Sequence, residues 1–110
     1  MAKKNIKVEV VNSKRVNGEE YLEWSDTVKV DGNIYRLKGS VGNCFSDWDV
    51  SAWSRTECKW NPFASAADIN GIKAFSYIEV MANSTHKVNP AAETNFKAML
   101  DYVVAFAASL

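Results

Sequence analysis

The dipeptide Asp31-Gly32 constrains this chain most, because apolar and polar residues alternate on both sides of it. Asp-Gly tolerates the positive φ angles that the two central residues of a type I′ hairpin turn require. The alternation over Tyr21–Val30 and over Ile34–Val41 has the two-residue period that is typical of strands with one buried face. The sequence therefore predicts an antiparallel hairpin made of these two strands.

Two more stretches alternate in the same way and predict two more strands. The first is Asn5–Asn12, and the second is Asp49–Trp60, which would be roughly 40 Å long at about 3.3 Å per residue. Because this length is large for a small domain, we expect the second strand to bend near Ser54 and to end at Asn61-Pro62. The stretch Gly42–Trp48 has no periodicity and predicts a loop.

The C-terminal part of the chain favours helix at two places and is ambiguous between them. A capping-box spacing predicts a short helical turn over Ser65–Ile69. Ile72–Ala82 combines apolar residues at three-residue spacing with good strand formers, and we favour a strand over a helix there. Asn89-Pro90 predicts the start of a helix, and an apolar stripe at helical spacing continues it to Ser109.

These elements predict a single α+β domain over residues 1–110, an antiparallel sheet of four or five strands with a long C-terminal helix packed on one face. The chain has 110 residues, the size of one domain, and 47% of them are hydrophobic, which suffices for a core without metal or disulfides. The helix has no charged residue after Asp101. That end is either buried on two sides or forms an association surface, for example in a homodimer.

The balance of charges argues against several functions. Lys plus Arg and Asp plus Glu each total 13, so the net charge is zero, whereas a duplex-binding domain has a basic excess. No apolar run follows the basic amino terminus as in a signal peptide, and no stretch is long enough to span a bilayer. We therefore expect a cytoplasmic protein that contacts no membrane. Cys44 and Cys58 would then remain thiols, whereas an extracellular location would permit a bridge.

Reactive side chains in catalytic or metal-binding patterns are scarce. His86 is the one histidine, and no spacing places it against a cysteine for nucleophilic catalysis. Cys and His total three, short of a structural zinc site, and no glycine-rich phosphate loop occurs. Asp47 and Asp49 are the candidate carboxylates, but we expect their side chains to point to opposite faces of an extended chain. The sequence therefore predicts no enzyme, no metal and no cofactor.

Aromatic residues near the middle of the chain are the best functional lead. We expect Trp60 and Trp24 to lie in the core. Trp48 falls in the predicted loop. Trp53 alternates in step with the polar residues of its strand, which project from the side that is expected to face solvent. For both side chains, burial and exposure are equally expected. Tryptophan is enriched in binding hot spots because it offers a large rigid contact area. The residues that we expect to bind a partner are Phe45, Asp47, Trp48, Trp53, Arg55 and Lys59.

This surface predicts a non-enzymatic protein-binding module, a small inhibitor or accessory factor of the kind that phages and mobile elements encode. It would occlude another protein, for example one in a nucleic-acid-processing complex. An alternative is a single-stranded nucleic-acid-binding protein in which exposed Trp stacks on bases and Arg or Lys contacts phosphates. Glu57 between Arg55 and Lys59 weakens that alternative. A second alternative is a small hydrolase that uses Asp47 and Asp49.

Overall fold

A computed structural model describes residues 6–17, 21–42, 46–73 and 90–110. The described residues form five strands, a short 3₁₀ helix and one α-helix. In chain order these are β1 (Val8–Asn17), β2 (Tyr21–Val30), β3 (Asn33–Gly42), β4 (Ser46–Ser54), β5 (Lys59–Ser65), the 3₁₀ helix (Ala66–Asp68) and α1 (Pro90–Ala108). The strands form one antiparallel sheet in the order β1-β2-β3-β4-β5, so each strand pairs with its neighbours in sequence.

The hairpin at Asp31-Gly32 forms as predicted. Asp31 has φ 50° and Gly32 has φ 88°, values that a two-residue hairpin turn requires and that Asp and Gly tolerate. The ladder between β2 and β3 then runs without a shift from Val30 opposite Asn33 to Tyr21 opposite Gly42. This hairpin therefore sets the register of the middle of the sheet and decides which side chains share a face.

The helix α1 packs against β2, β3 and β4 on one face of the sheet, which we call the core face. The buried residues of α1 recur at a spacing of three or four: Phe96, Met99, Val103 and Ala107. The sheet contributes Leu22, Trp24, Val28, Val30, Tyr35, Leu37, Val41, Trp48, Val50 and Ala64. Full burial of each large apolar side chain contributes roughly 1.5–3 kcal/mol. The predicted α+β arrangement, with an antiparallel sheet and a C-terminal helix on one face, is confirmed.

The predicted single strand Asp49–Trp60 is wrong, because the chain reverses within it. A turn over residues 55–58 lets β5 pair antiparallel with β4 and places Trp53 opposite Trp60. Cys58 adopts φ 53° in this turn, and the backbone N–H of Glu57 donates a hydrogen bond to Oγ of Ser54 at 3.1 Å. Cys58 is therefore exposed, although it alternates in step with Val50 and Trp60 in the predicted strand.

Other boundaries also differ from the prediction. β4 begins at Ser46, inside the predicted loop, and β5 continues through Pro62, where we expected the strand to end. Proline is tolerated there because β5 lies at an edge of the sheet, where a strand can lack one ladder hydrogen bond. The strand predicted at Asn5–Asn12 is observed as β1, and it contains a bulge between Val10 and Asn12.

The chain after β5 begins with the predicted helical turn. The backbone N–H and the hydroxyl of Ser65 both donate to Oδ2 of Asp68, at 2.8 and 3.1 Å, and the 3₁₀ helix follows. Ile72 and Lys73 are not in a strand, and the remainder of the strand predicted over Ile72–Ala82 lies outside the described residues. No helix in the described ranges is both long and apolar enough to cross a membrane.

The side chain of Asn95 fixes α1 to the chain that follows the 3₁₀ helix. Asn95 is completely buried. Its Oδ1 accepts a hydrogen bond from the backbone N–H of Lys73 at 3.0 Å, and its Nδ2 donates to the carbonyl oxygen of Lys73 at 2.8 Å. Because the buried amide is paired through both of its ends, it positions the helix without leaving an unsatisfied polar atom.

Candidate functional site

Trp48 lies on the core face, so the expectation that it could face outward from a loop is wrong. Its side chain is 3% exposed, stacks on Trp24 with ring centroids 5.7 Å apart, and meets Phe96 of α1 edge-on at 6.0 Å. Its Nε1 donates to Oγ of Ser46 at 2.8 Å, which satisfies the one polar atom of the indole. The physical reason is that Trp48 lies in β4, two residues before the buried Val50, so both side chains project from the same face of the strand.

Trp53 and Trp60 lie together on the other face of the sheet, which we call the outer face. They are directly opposite each other in the ladder, their ring centroids are 5.3 Å apart, and their planes make an angle of 66°. Both side chains are half-buried. Trp53 thus faces away from α1, as its polar parity indicated, whereas the prediction of a core position for Trp60 is wrong. The unpredicted turn reverses the face on which Trp60 projects.

Arg36 of β3 completes a cluster with these two indoles. Ser51 lies opposite Arg36 and two residues before Trp53, so Arg36 projects from the same face. Its Cζ lies 4.6 Å from the centroid of the Trp60 ring, the geometry of a cation–π contact. We call Arg36, Trp53 and Trp60 the indole–arginine patch. Sequence reasoning missed Arg36, because only the register across β3, β4 and β5 brings it to Trp60.

The guanidinium of Arg36 lacks a polar partner at its inner end. The Nε atom is buried, and no hydrogen-bond acceptor from the described residues reaches it. A buried polar atom of a charged group that is left unpaired is costly, because it has lost its water without gaining a substitute. The patch therefore combines half-exposed apolar surface with a cation that is incompletely satisfied.

The charges around Arg36 on the outer face are unequal. Thr27 and Ser51 lie directly beside Arg36 in the register, and the next outer-face positions include Lys29, Lys38 and Asp49. Glu9 lies opposite Lys29, and Asp49 lies opposite Lys38. With Arg36, this part of the face holds three cations and two anions. The chain as a whole is neutral, so the excess of positive charge is local.

Two more of the predicted partner-binding residues, Arg55 and Lys59, lie in or next to the β4–β5 turn. Arg55 donates from Nη2 to the carbonyl oxygen of Gly32 at 2.8 Å, which joins the β4–β5 turn to the β2–β3 turn. Lys59 forms an ion pair with Glu57 at 3.0 Å, and both side chains are exposed, so the pair contributes little to stability. Phe45 lies outside the described residues.

Asp47 and Asp49 both belong to β4 and are exposed. The expectation that they point to opposite faces is wrong, since residues two apart on a strand project from the same face. They lie opposite Ser40 and Lys38 of β3 on the outer face. In the ranges that the structure describes, no group of three His, Cys, Asp or Glu side chains could hold a metal ion. A role of these carboxylates in hydrolysis stays a prediction.

Two titratable groups outside the patch have shifted pKa values. Hydrogen bonds from the backbone and then the hydroxyl of Ser65 lower the pKa of Asp68, because they favour its charged form. Burial raises the pKa of Tyr35, whose ring meets Phe63 edge-on at 5.1 Å on the core side.

Comparison with protein-family models, with curated proteins and with solved structures found no match to this chain.

Proposed function

We propose that this chain is a non-enzymatic module that binds a partner protein on the outer face of its sheet, through the indole–arginine patch. The observation that carries the proposal is the pairing of Trp53 with Trp60 on the face opposite α1, with Arg36 over the second ring. Tryptophan and arginine are enriched in binding hot spots. Tryptophan offers a large rigid contact area, and arginine offers five N–H donors in a planar group. Sheet strands hold all three side chains, so the patch is formed before the partner arrives.

The proposed mode of action is occlusion, as in a small inhibitor or accessory factor of phage or mobile-element type. The patch lies on a strand surface, so it would cover part of a partner instead of enclosing a substrate. We place the protein in the cytoplasm, in keeping with the exposed free thiol of Cys58 in the β4–β5 turn. A nucleic-acid-processing complex is the partner class that we propose first.

A second copy of the chain is a further proposed partner, bound through the C-terminal end of α1. Phe106 meets Phe63 edge-on at 4.9 Å but remains 40% exposed, and Leu110 is 71% exposed. The final residues of the helix have no charge to keep such surface in water. This contact lies on the helix side of the molecule, so it would leave the outer face open.

Single-stranded nucleic acid is the alternative ligand of the same patch. Trp53 is half-exposed beside Arg36, which suits base stacking combined with phosphate contact. Asp47 and Asp49 on the same face oppose it, because a strand of phosphates would pass close to them. We therefore rank nucleic acid below protein.

The experiment is affinity capture from a lysate of the source organism with immobilised protein, with and without nuclease. Trp53→Thr removes the outer indole and keeps a good strand former, and Val10→Thr is a control at an exposed apolar position of β1. We expect wild type and the Val10 variant to retain the same partner protein and the Trp53 variant to lose it. Equal capture by all three proteins, or loss of the partner after nuclease treatment, would contradict the proposal.

A further inference from the structure

We infer that the indole–arginine patch binds a short acidic segment of a protein, with a carboxylate on the guanidinium of Arg36 and a neighbouring apolar side chain against Trp53. The inference rests on the proposed function and names the chemistry of the partner. It accounts for the combination of an incompletely satisfied cation and two half-buried indoles on one face.

The charge of Arg36 has no acidic partner among the described residues. No described acidic side chain forms an ion pair with it, and its Nε lacks an acceptor. The contact with Trp60 covers one side of the guanidinium, and its N–H donors lie in the guanidinium plane. Because Nε is buried, a carboxylate that arrives from solvent would take its two parallel N–H···O bonds from the two Nη atoms.

Of the cations described in this region, Arg36 is the one with no acid opposite it in the ladder. Lys29 lies opposite Glu9 and Lys38 opposite Asp49, whereas Arg36 lies between Thr27 and Ser51. A negative group over Arg36 therefore enters a region of local positive excess. Such complementarity selects the partner and speeds its association.

Acidic residues on the outer face favour an acidic peptide over a nucleic acid as the ligand. The outer face carries Glu23, Asp47 and Asp49 toward the end of the sheet away from the Asp31-Gly32 turn. A nucleic-acid strand carries a phosphate at every nucleotide and would meet these acids as it crossed the face. A peptide with one or two carboxylates places its charge over Arg36 alone, and its apolar side chain can lie against the exposed part of Trp53.

The test uses two libraries of capped heptapeptides that contain an apolar residue beside Asp or Glu, or beside Asn or Gln. Binding of fluorescent peptides and of fluorescent dT12 is measured by anisotropy, and free acetate is tested as a competitor of the peptides. We expect binders from the acidic library whose amide counterparts bind roughly tenfold more weakly, the size of one charge-assisted pair. Their affinity should fall as salt is raised.

Two substitutions of Arg36 and one control assign the effect. Arg36→Gln removes the charge. Arg36→Met removes the charge and keeps an apolar stem over Trp60, so the Met variant is informative if the Gln variant does not fold. Lys97→Gln on α1 is the charge-matched control on the helix side, where Lys97 pairs with Asp101. We expect both Arg36 variants to bind acidic and amide peptides equally, and the Lys97 variant to prefer acidic peptides as wild type does.

The outcomes distinguish the inference from the proposed function. Peptides that need Trp53 but show no preference for acid over amide would overturn the inference and leave the proposed function intact. The absence of any Trp53-dependent peptide would overturn the inference, and the capture experiment alone then decides the proposed function. Tighter binding of dT12 than of every peptide would overturn both the inference and the proposed function and would favour nucleic acid. Binding of acetate alone at peptide-like affinity would show an anion site without a peptide site and would overturn the inference.

Discussion

Gly39 of β3 lies opposite Trp48 of β4, and the six-membered ring of the indole fills the space that a Cβ at Gly39 would occupy. Trp24 lies opposite Gly39 on the other side, so the two stacked indoles meet across a residue without a side chain. The glycine is needed here for close packing and not for an unusual backbone angle. The core under α1 therefore depends on a residue that contributes no apolar surface itself.

We predict that Gly39→Ala destabilises the fold by about 1–3 kcal/mol, the usual effect of overpacking a well-filled core. The added Cβ would overlap ring carbons of Trp48, so the indole would have to move. The free energy of unfolding from urea denaturation measures the effect. Ser40→Ala, one residue later in the same strand but on the outer face, is the control and should change that free energy little. Equal stability of the two variants would contradict this account of the packing.

The two tryptophans of β4 should differ sharply in their contribution to stability. Trp48→Ala removes a buried ring and should cost about 3–5 kcal/mol, typical of aromatic truncations in cores. Trp53→Ala removes half-buried surface and one aromatic pair, so we expect about 1 kcal/mol. Thermal unfolding followed by circular dichroism, together with urea denaturation, compares them. A larger loss for Trp53 than for Trp48 would mean that the faces are assigned the wrong way round.

The paired amide of Asn95 should also be important for stability. Asn95→Ala leaves the backbone N–H and carbonyl of Lys73 without their partners, and we expect a loss of roughly 2–4 kcal/mol from these two groups. Faster hydrogen exchange at the amide of Lys73 is the local signature. Lys97→Ala, on the exposed side of the same helix, serves as the control and should leave that exchange rate unchanged.

The turn that follows β5 should respond to acid. The pKa of Asp68 is lowered in the folded protein, so its hydrogen bonds stabilise the turn above the unfolded pKa and are lost as the pH falls through the folded pKa. The chemical shift of the Ser65 amide proton, followed by NMR over the acidic range, reports the loss. Asp68→Asn should remove this titration, whereas Asp47→Asn should not. Persistence of the Ser65 titration in the Asp68 variant would assign it to another group.

The proposed homodimer predicts a concentration-dependent increase in mass. Phe106→Glu places a charge on the exposed apolar end of α1, and we expect sedimentation to show monomer for this variant and dimer for wild type. Asp101→Asn, one turn earlier on an exposed position of the helix, is the control for altered charge and should still dimerise. A monomeric wild type at all concentrations would remove the proposal and leave the outer-face proposal unaffected.

The sequence predicted the β2–β3 hairpin because its turn contains Asp-Gly, which tolerates the positive φ angles of a type I′ turn. It did not predict the β4–β5 hairpin, because the turn over residues 55–58 contains neither Gly nor Pro and continues the alternation of its flanking strands. This one omission assigned Trp60 to the wrong face. For the same reason the sequence did not predict the contact between Arg36 and Trp60. That contact depends on the register between strands, which periodicity alone does not provide.

The order of the strands has a consequence for how the chain is synthesised. Because each strand pairs with the one before it, every hairpin of the sheet can close as soon as its second strand has left the ribosome. The helix that covers the core face follows the five described strands in the chain. Until the helix has emerged, Phe96 cannot cover the ring of Trp48, so the core face of the nascent sheet exposes apolar surface.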